Sequence, residues 1–258
     1  MKKNMTKAIL TVLLLMVTVL GLAACGMIDN SNSSEDSQST SEVESNKEDI
    51  PKGSISLELP EGFNASEHYL NRQSLFESMP LSKDTVVFIG DSIVQRNEWA
   101  ESFGSTNYIN RGIDNDTISG VLGRINSIVQ YNPKQIFLMV GINDIYQNTG
   151  DQEELINQYQ QLIDKVKETA PETVITVTSI LPVNKSVYNH MADNNIIIEF
   201  NEKLKEFCET NDITYVDTFS EFYDQENNEM PANYTNDGIH LNGDGYKVLD
   251  EKLKEYIQ

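Results

Sequence analysis

The chain has 258 residues, of which 40 are acidic and 19 are lysine or arginine, so its formal net charge is -21. Binding to nucleic acid depends on clustered lysine and arginine that neutralise phosphates, and adsorption to anionic lipid depends on a basic face. This composition therefore excludes nucleic acid as a partner and argues against membrane adsorption through a basic surface.

The first 25 residues have the three zones of a secretory signal. Three lysines lie within residues 1–7, an apolar run follows over 8–22, and Leu22-Ala23-Ala24-Cys25 comes next. The run is shorter than the ~20 residues of a membrane-spanning helix, which favours a cleaved signal over an uncleaved anchor helix. The last four residues resemble a bacterial lipobox, which implies a signal peptide over 1–24 and a lipidated Cys25. Several acyl chains there would hold the protein outside the cytoplasm, on the bacterial cell membrane.

The residues that follow predict a tether and then a folded domain. Residues 25–52 are mostly Ser, Asn, Glu and Asp, and they bury too little apolar surface to offset the entropy of ordering. An approach segment over 53–82 leads to a domain over 83–258, which is long enough for a full core. A lipidated Cys25 leaves Cys208 without a disulfide partner, and the amphipathic helical pattern around Cys208 predicts a buried structural thiol.

Short runs of β-branched and other apolar residues alternate with helical patterns in this domain. The runs predict strands over 85–89, 107–110, 135–140, 173–180 and 214–216. Apolar residues three or four positions apart predict helices over 117–131, 152–169, 189–211 and 243–257. Strands that alternate with helices predict parallel βαβ units and a layered α/β fold, in which ligands bind beyond the carboxyl ends of the strands.

The loop after the first predicted strand contains Gly90-Asp91-Ser92. A tight turn here would place the hydroxyl of Ser92 at the mouth of the cleft, where a positioned base could make it a nucleophile. Glycine, aspartate and serine are also common turn residues, so this tripeptide alone has a second, purely structural interpretation.

Candidate oxyanion donors follow the next two strands. Acyl transfer develops an oxyanion, and a fixed donor is worth about 10²–10³ in rate. The backbone N–H groups of Ser92 and Gly112 and the side-chain amide of Asn143 would supply three such donors. A turn glycine and a helix cap are the alternative interpretations of Gly112 and Asn143.

Near the C-terminus, Asp237 precedes His240 by three residues, just ahead of the last predicted helix. A general base needs a pKa near neutrality and a partner that orients its ring, which a nearby carboxylate supplies. We therefore expect His240 to accept the proton of Ser92. The other two histidines, His68 and His190, fit ordinary surface positions.

Four sequence blocks in this order resemble the SGNH (GDSL-like) hydrolase family over about residues 83–257. They are Phe88-Ile89-Gly90-Asp91-Ser92, Asn110-Arg111-Gly112, Val140-Gly141-Ile142-Asn143-Asp144 and Asp237-Gly238-Ile239-His240. The resemblance implies a three-layer α/β/α fold whose five-stranded parallel sheet has the flavodoxin-like order 2-1-3-4-5. It makes Ser92 the nucleophile, His240 the base and Asp237 its orienting acid. Ser92, Gly112 and Asn143 become the oxyanion donors.

Trp99, the stretch 112–117 and Leu181-Pro182 further resemble the platelet-activating-factor acetylhydrolase-like branch of that family. The branch implies an esterase for short acyl groups, and we expect its substrate to be a small acyl ester or an acetylated glycan of the cell envelope or the extracellular space. No long apolar insertion of the kind that forms a lipase lid occurs in the domain.

Three other functions remain as alternatives. A lysophospholipase or thioesterase would use the same machinery on longer acyl chains. A substrate-binding lipoprotein would share the anchor and tether but would not need serine, asparagine, aspartate and histidine at these positions. A metal-dependent hydrolase would use the aspartates, yet no two-histidine spacing occurs, so we expect no metal and no cofactor. Five residues are expected to rim the cleft: Asp114, Asp116, Tyr146, Asn184 and Tyr188.

Overall fold

A computed structural model describes residues 57–147, 151–187 and 192–258. These residues all belong to one compact unit, Lys52–Gln258. The predicted signal peptide over 1–24, the lipidated Cys25 and the tether lie outside the described residues. Residues 53–56 of the approach segment, Tyr188 and His190 lie outside them as well.

Five strands form one parallel sheet in the order β2-β1-β3-β4-β5, which confirms the predicted fold class. The strands are β1 (Val86–Gly90), β2 (Tyr108–Gly112), β3 (Gln135–Met139), β4 (Val174–Thr178) and β5 (Thr214–Val216). In the register of the sheet, Gly90 at the end of β1 lies beside Gly112 of β2 and Met139 of β3. The loops that follow these three strands therefore start at the same edge of the sheet.

Nine α-helices lie in the described part of the chain. They are α1 (Glu67–Glu77), α2 (Ser92–Gln95), α3 (Trp99–Ser102), α4 (Ile118–Arg124), α5 (Asn126–Val129), α6 (Ile142–Gln147), α7 (Gln152–Thr169), α8 (Asn194–Thr210) and α9 (Gly243–Lys254). Helix α7 has the predicted bounds. The helix predicted over 117–131 is divided at Ile125, and α8 starts at Asn194, where the Asp193 side chain caps it by accepting from the Asn195 N–H.

The sheet is buried on both faces. Val87 and Ile89 of β1 pack in a core with apolar residues of α4, α7 and α8. Phe88 faces the other way, where its ring stacks on Trp99 at 3.8 Å between centroids and packs with residues of α9. These two cores produce the three-layer α/β/α arrangement and explain why the strands are apolar at nearly every position.

The approach segment is part of the fold. Tyr69 and Phe76 of α1 pack on Ile113, which follows β2. The hydroxyl of Tyr69 donates to the carbonyl of Gly120 at 2.8 Å, and the Glu58 N–H donates to the carbonyl of Gly123 at 3.1 Å. Residues 57–77 therefore cover α4 and the loop before it.

Two further features concern the membrane and the thiol. Within the three described ranges, no helix is long and apolar enough to cross a membrane. Cys208 is fully buried in α8, and burial raises the pKa of its thiol to about 12. Its environment is that of an inert structural thiol, as its helical pattern predicts.

Candidate active site

Ser92 lies directly beyond the carboxyl end of β1. A Cβ atom at Gly90 would come within 1.9 Å of the Met139 carbonyl oxygen, so only glycine lets β1 end this close to β3. Asp91 then caps α2, since its Oδ1 accepts from the Ile93 N–H at 2.9 Å. Ser92 is the first residue of that helix. Its own backbone N–H has no acceptor within the helix and is free to bind a ligand atom.

Ser92, His240 and Asp237 form a continuous hydrogen-bonded chain. The Nε2 atom of His240 lies 2.9 Å from Ser92 Oγ, and its Nδ1 atom lies 2.7 Å from Asp237 Oδ2. A carboxylate only accepts, so Nδ1 carries the proton and Nε2 accepts from the serine hydroxyl. The arrangement is that of a nucleophile, a base and a residue that orients the base.

Asp237 is held in its ionised form. Partial burial would raise its pKa, but hydrogen bonds from the His240 ring and from the backbone N–H groups of His240 and Ile239 outweigh burial and lower the pKa to about 2. The two backbone bonds measure 2.8 Å and 3.1 Å. The carboxylate is therefore a fixed negative charge that stabilises a protonated His240 ring.

The loop that carries His240 is anchored on both sides. Gly238 has a φ of 88°, a left-handed conformation that suits glycine. Its N–H donates to the Thr235 hydroxyl at 2.9 Å, and its carbonyl accepts from the Asn184 N–H at 2.8 Å. The side chain of Asn184 also donates to the Met230 carbonyl at 2.6 Å. Asn184 is 1% exposed, so it holds the loop in place and does not form the predicted rim.

Asn143 lies in the first turn of α6, close to the loop after β2. Its Nδ2 atom donates to the backbone carbonyl of Asp116 at 2.8 Å. An amide nitrogen carries two hydrogens, so one N–H remains available for an oxyanion. The contact fixes the direction of the amide before any substrate binds.

The prediction for Gly112 needs correction. Its backbone N–H donates to Asn110 Oδ1 at 2.8 Å and is therefore occupied. A Cβ atom at this position would come within 2.2 Å of the Gln95 backbone nitrogen, so glycine is needed here for the approach of α2 to β2. The Asn110 amide donates in turn to the carbonyls of Val94, Gln95 and Asn97 at the end of α2. Gly112 thus lets the helix that begins at Ser92 pack on β2, and its occupied N–H is no donor to the site.

The sequence reasoning assigned no role to Asn115, which lies in the turn next to the candidate site. It has a left-handed backbone with a φ of 62°, in the turn between Asp114 and Asp116. This turn also contains the carbonyl that orients Asn143. An asparagine between two aspartates in a loop after a strand is a recognisable signal for such a turn.

A buried ion pair holds that turn against the sheet. Asp116 Oδ2 lies 2.7 Å from Arg124 Nη2, and both side chains are fully buried. Arg124 also donates, at 3.2 Å, to the carbonyl of Gly90, two residues before the candidate nucleophile. Asp116 was expected at the rim of the cleft, and the structure instead places it beneath the turn. The N–H of Ile118 donates to the Asp144 carboxylate, which ties the start of α4 to α6.

The remaining candidate residues lie at the surface. Tyr146 is half exposed at the end of α6. Asp114 pairs with Arg96 at 3.4 Å, and His68 is an exposed residue whose Nε2 atom lies 3.1 Å from Gln95 Oε1. Within the described ranges, no group of three or more histidine, cysteine, aspartate or glutamate side chains is arranged to hold a metal ion.

Asp91 is a buried carboxyl group next to the candidate nucleophile. Burial raises its pKa to about 8; the hydrogen bond from the Ile93 N–H opposes this shift, and the carboxylates of Asp116 and Asp144 add to it. Asp91 is therefore mostly neutral at pH 7, which keeps a second negative charge away from Ser92 Oγ.

Comparisons with known proteins agree on the type of domain. A family model described as GDSL-like lipase/acylhydrolase matches residues 88–248. A search of curated proteins found no match. One similar solved structure is a candidate platelet activating factor from Streptococcus pneumonia, with 28% identity, a TM-score of 0.67, and coverage of 73% of this chain and 92% of that chain.

Two other solved structures have the same fold. A candidate acylhydrolase from Bacteroides fragilis is 25% identical, with a TM-score of 0.64 and coverage of 75% of this chain and 97% of that chain. A catalytic mutant of an acetylxylan esterase from Geobacillus stearothermophilus is 19% identical, with a TM-score of 0.54 and coverage of 68% and 95%. The resemblance in the four sequence blocks is thereby confirmed.

The raised pKa of Asp91 predicts a specific pH dependence of stability. The unfolded chain ionises Asp91 near pH ~3.9, whereas the folded chain does so near its pKa of about 8. Stability from the neutral group is therefore present below about pH 4 and is lost as the pH rises towards 8, by up to about 1.4 kcal/mol per pH unit. Asp91→Asn keeps the acceptor for Ile93 and removes this loss. Urea unfolding at pH 5 and pH 8 should show the variant gaining on the wild type at the higher pH.

The matched control is Asp84→Asn, which removes a carboxylate from an exposed turn residue before β1. An equal change in unfolding free energy between the two pH values for wild type and Asp91→Asn would contradict a neutral Asp91.

Proposed function

Since the chain belongs to the GDSL-like lipase/acylhydrolase family and is a hydrolase of esters, we propose that it is a serine esterase for short acyl groups, above all acetyl, on carbohydrate of the cell envelope or the extracellular space. One observation carries the proposal, the unbroken chain of hydrogen bonds from Ser92 Oγ through His240 to Asp237. This chain gives a weak hydroxyl nucleophile the base that it needs.

The geometry supports a mechanism of acyl transfer in two steps. Ser92 Oγ attacks the ester carbon while its proton moves to His240 Nε2, and Asp237 stabilises the charged ring. The carbonyl oxygen becomes an oxyanion, which the Ser92 backbone N–H and the free N–H of the Asn143 amide stabilise. His240 then returns the proton to the departing alcohol oxygen, and an acyl-enzyme on Ser92 remains. Water attacks this ester by the same route and releases the acid.

We propose that the backbone N–H of Asn115 takes the place that was expected for Gly112. Asn115 is left-handed and directly precedes Asp116, whose carbonyl is bonded to the Asn143 amide. No hydrogen bond within the described residues occupies the Asn115 N–H. Three donors on separate elements, the turn, α2 and α6, would then surround the oxyanion.

The preference for short acyl groups rests on the loops around Ser92. In the described part of the chain, the segments after β1, β2 and β3 enter helices α2, α4 and α6 within a few residues. They leave no long apolar segment to cover a fatty acyl chain. A lysophospholipase or thioesterase that uses the same three residues on longer chains is the second candidate, and acyl chain length separates the two.

We further propose that lipid on Cys25 anchors the enzyme outside the cytoplasm. The support is the lipobox-like sequence that ends at Cys25, followed by an acidic stretch of low apolar content. Such a tether would give the esterase domain reach towards polymers near the membrane.

The proposed mechanism predicts the effect of removing the nucleophile or the base. Ser92→Ala or His240→Ala should lower kcat for p-nitrophenyl acetate by roughly 10³–10⁶, because each removes a group that acts in bond making. Circular dichroism should show that the fold survives. Ser82→Ala and His68→Ala, outside the hydrogen-bonded chain, are matched controls with unchanged turnover. Near-wild-type turnover of p-nitrophenyl acetate by folded Ser92→Ala would contradict the mechanism.

Another prediction concerns acyl chain length. The values of kcat/KM for p-nitrophenyl acetate and butyrate should exceed that for the palmitate ester by about tenfold or more, since a long chain finds no apolar cover and keeps its contact with water. A series from two to sixteen carbons measures this directly. The reverse order would favour the lysophospholipase or thioesterase.

The anchor has its own test. Cys25→Ser should shift the full chain from the membrane fraction to the soluble secreted fraction, because it removes the only acylation site of the lipobox. Activity on p-nitrophenyl acetate should be unchanged. Cys208→Ser, which leaves the lipobox intact, is the control, and membrane retention of Cys25→Ser would contradict the anchor.

A further inference from the structure

A cavity of about 580 Å³ lies beside the candidate active site. Its walls come from the segment 60–69, the turn and helix start over 114–119, and the facing ends of α6 and α7. The family match begins only at residue 88, so one wall of this cavity comes from the approach segment, outside the matched region.

Three structural features connect the cavity to the candidate active site. Asn115 lines the cavity and directly precedes Asp116, whose carbonyl orients Asn143. Gln147 lines it from the end of α6, the helix whose first turn contains Asn143. The loop before the turn is attached to the end of β1, because the Ile113 N–H donates to the Gly90 carbonyl at 3.0 Å. The cavity therefore reaches one proposed oxyanion donor, Asn115, and borders the turn that orients another, Asn143.

The lining has the chemistry of a site for a neutral polyhydroxyl ligand. Three of its residues are carboxylates, Glu61, Asp114 and Glu154, and among the described residues that line it there is no lysine, arginine or histidine. The other polar groups are amides and hydroxyls. Gln158 lines the cavity, and its buried Oε1 atom has no hydrogen-bond partner among the described residues.

The same lining disfavours two charged classes of ligand. Asp114 is paired with Arg96, but the exposed carboxylates of Glu61 and Glu154 repel a phosphate or uronate group. A quaternary ammonium group would need several open aromatic faces. Tyr69 is 3% exposed, with its hydroxyl bonded to Gly120, so the ring of Phe63 is left as the aromatic contact.

We propose that this cavity binds the neutral carbohydrate that carries the ester, so that the departing alcohol is held beside the oxyanion donors. The inference rests on the proposed esterase function and adds the location and charge of the site for the sugar. Amide and carboxylate groups bind sugar hydroxyls, and the Phe63 ring packs on the C–H face of a sugar ring.

Two pairs of variants of the full chain test this site. Gln158→Leu removes the unpartnered acceptor, and its control is Gln160→Leu on the same helix, which faces a separate groove between α7 and α8. Glu154→Lys reverses one carboxylate, and its control is Glu153→Lys, which lies in the same first turn and faces that other groove. Both lysines meet the helix dipole in the same way.

The substrates are p-nitrophenyl acetate, acetylated xylo-oligosaccharides as neutral glycans and acetylated oligogalacturonides as anionic glycans. Gln158→Leu should raise KM for the neutral glycan about fivefold, and all four variants should keep their p-nitrophenyl acetate activity within about twofold. The wild type should favour the neutral glycan. Glu154→Lys should raise kcat/KM for the anionic glycan about fivefold, with the gain shrinking at high salt.

The outcomes separate the two proposals. If p-nitrophenyl acetate is hydrolysed in a Ser92-dependent way but the cavity variants match their controls on both glycans, the sugar site is wrong and the esterase stands. A wild type that prefers the anionic glycan also overturns the site. Absence of Ser92-dependent hydrolysis of p-nitrophenyl acetate overturns the esterase itself, and the sugar site with it.

Discussion

The hydrogen bond between Ser92 Oγ and His240 Nε2 joins residues that are 148 positions apart, and it is only 2.9 Å long. Such a bond exists only if both loops are held to within a few tenths of an ångström. The fold does this through the edge of the parallel sheet. Gly90, Gly112 and Met139 share one level, so the segment that carries Ser92 and the turn after β2 start from a common plane.

Each loop at this edge has its own internal support. Arg124 reaches from α4 to both Asp116 and the Gly90 carbonyl, which couples the turn after β2 to the end of β1, two residues before Ser92. Asn184 connects the loop after β4 to Gly238 and Met230, which holds the loop that carries His240. These contacts bury polar groups, and buried polar groups are costly unless they are fully paired. The contacts that position the site therefore also supply partners for polar groups that are buried in the domain.

Much of the fold follows from local pattern. Helix α7 matches its predicted bounds because Asp151 caps it and its apolar stripe faces the core, so local and tertiary preferences agree. Ser92, His240 and Asp237 could be identified because each stands at a recognisable loop position. Gly112 was misassigned because its role depends on Asn110 and α2, contacts between distant residues that no local pattern shows. Asn184 and Asp116 were misplaced for a similar reason, since a polar loop residue can be buried once its partners are supplied by other elements.

Substrate choice must come from elements other than the three residues that would perform the chemistry, because a serine, a histidine and an aspartate in this geometry can attack many esters. The elements nearest to those residues, α2 and the turn after β2, are constrained by the reaction and have little freedom to vary. The approach segment has no such constraint. It packs through Tyr69 and Phe76 on Ile113, so it is rigid enough to present a binding wall, and it lies outside the region matched by the family model. A binding wall built on this segment can change its charge and shape without moving Ser92 or Asn143. Such independent variation is what allows a common hydrolase site to acquire a particular substrate.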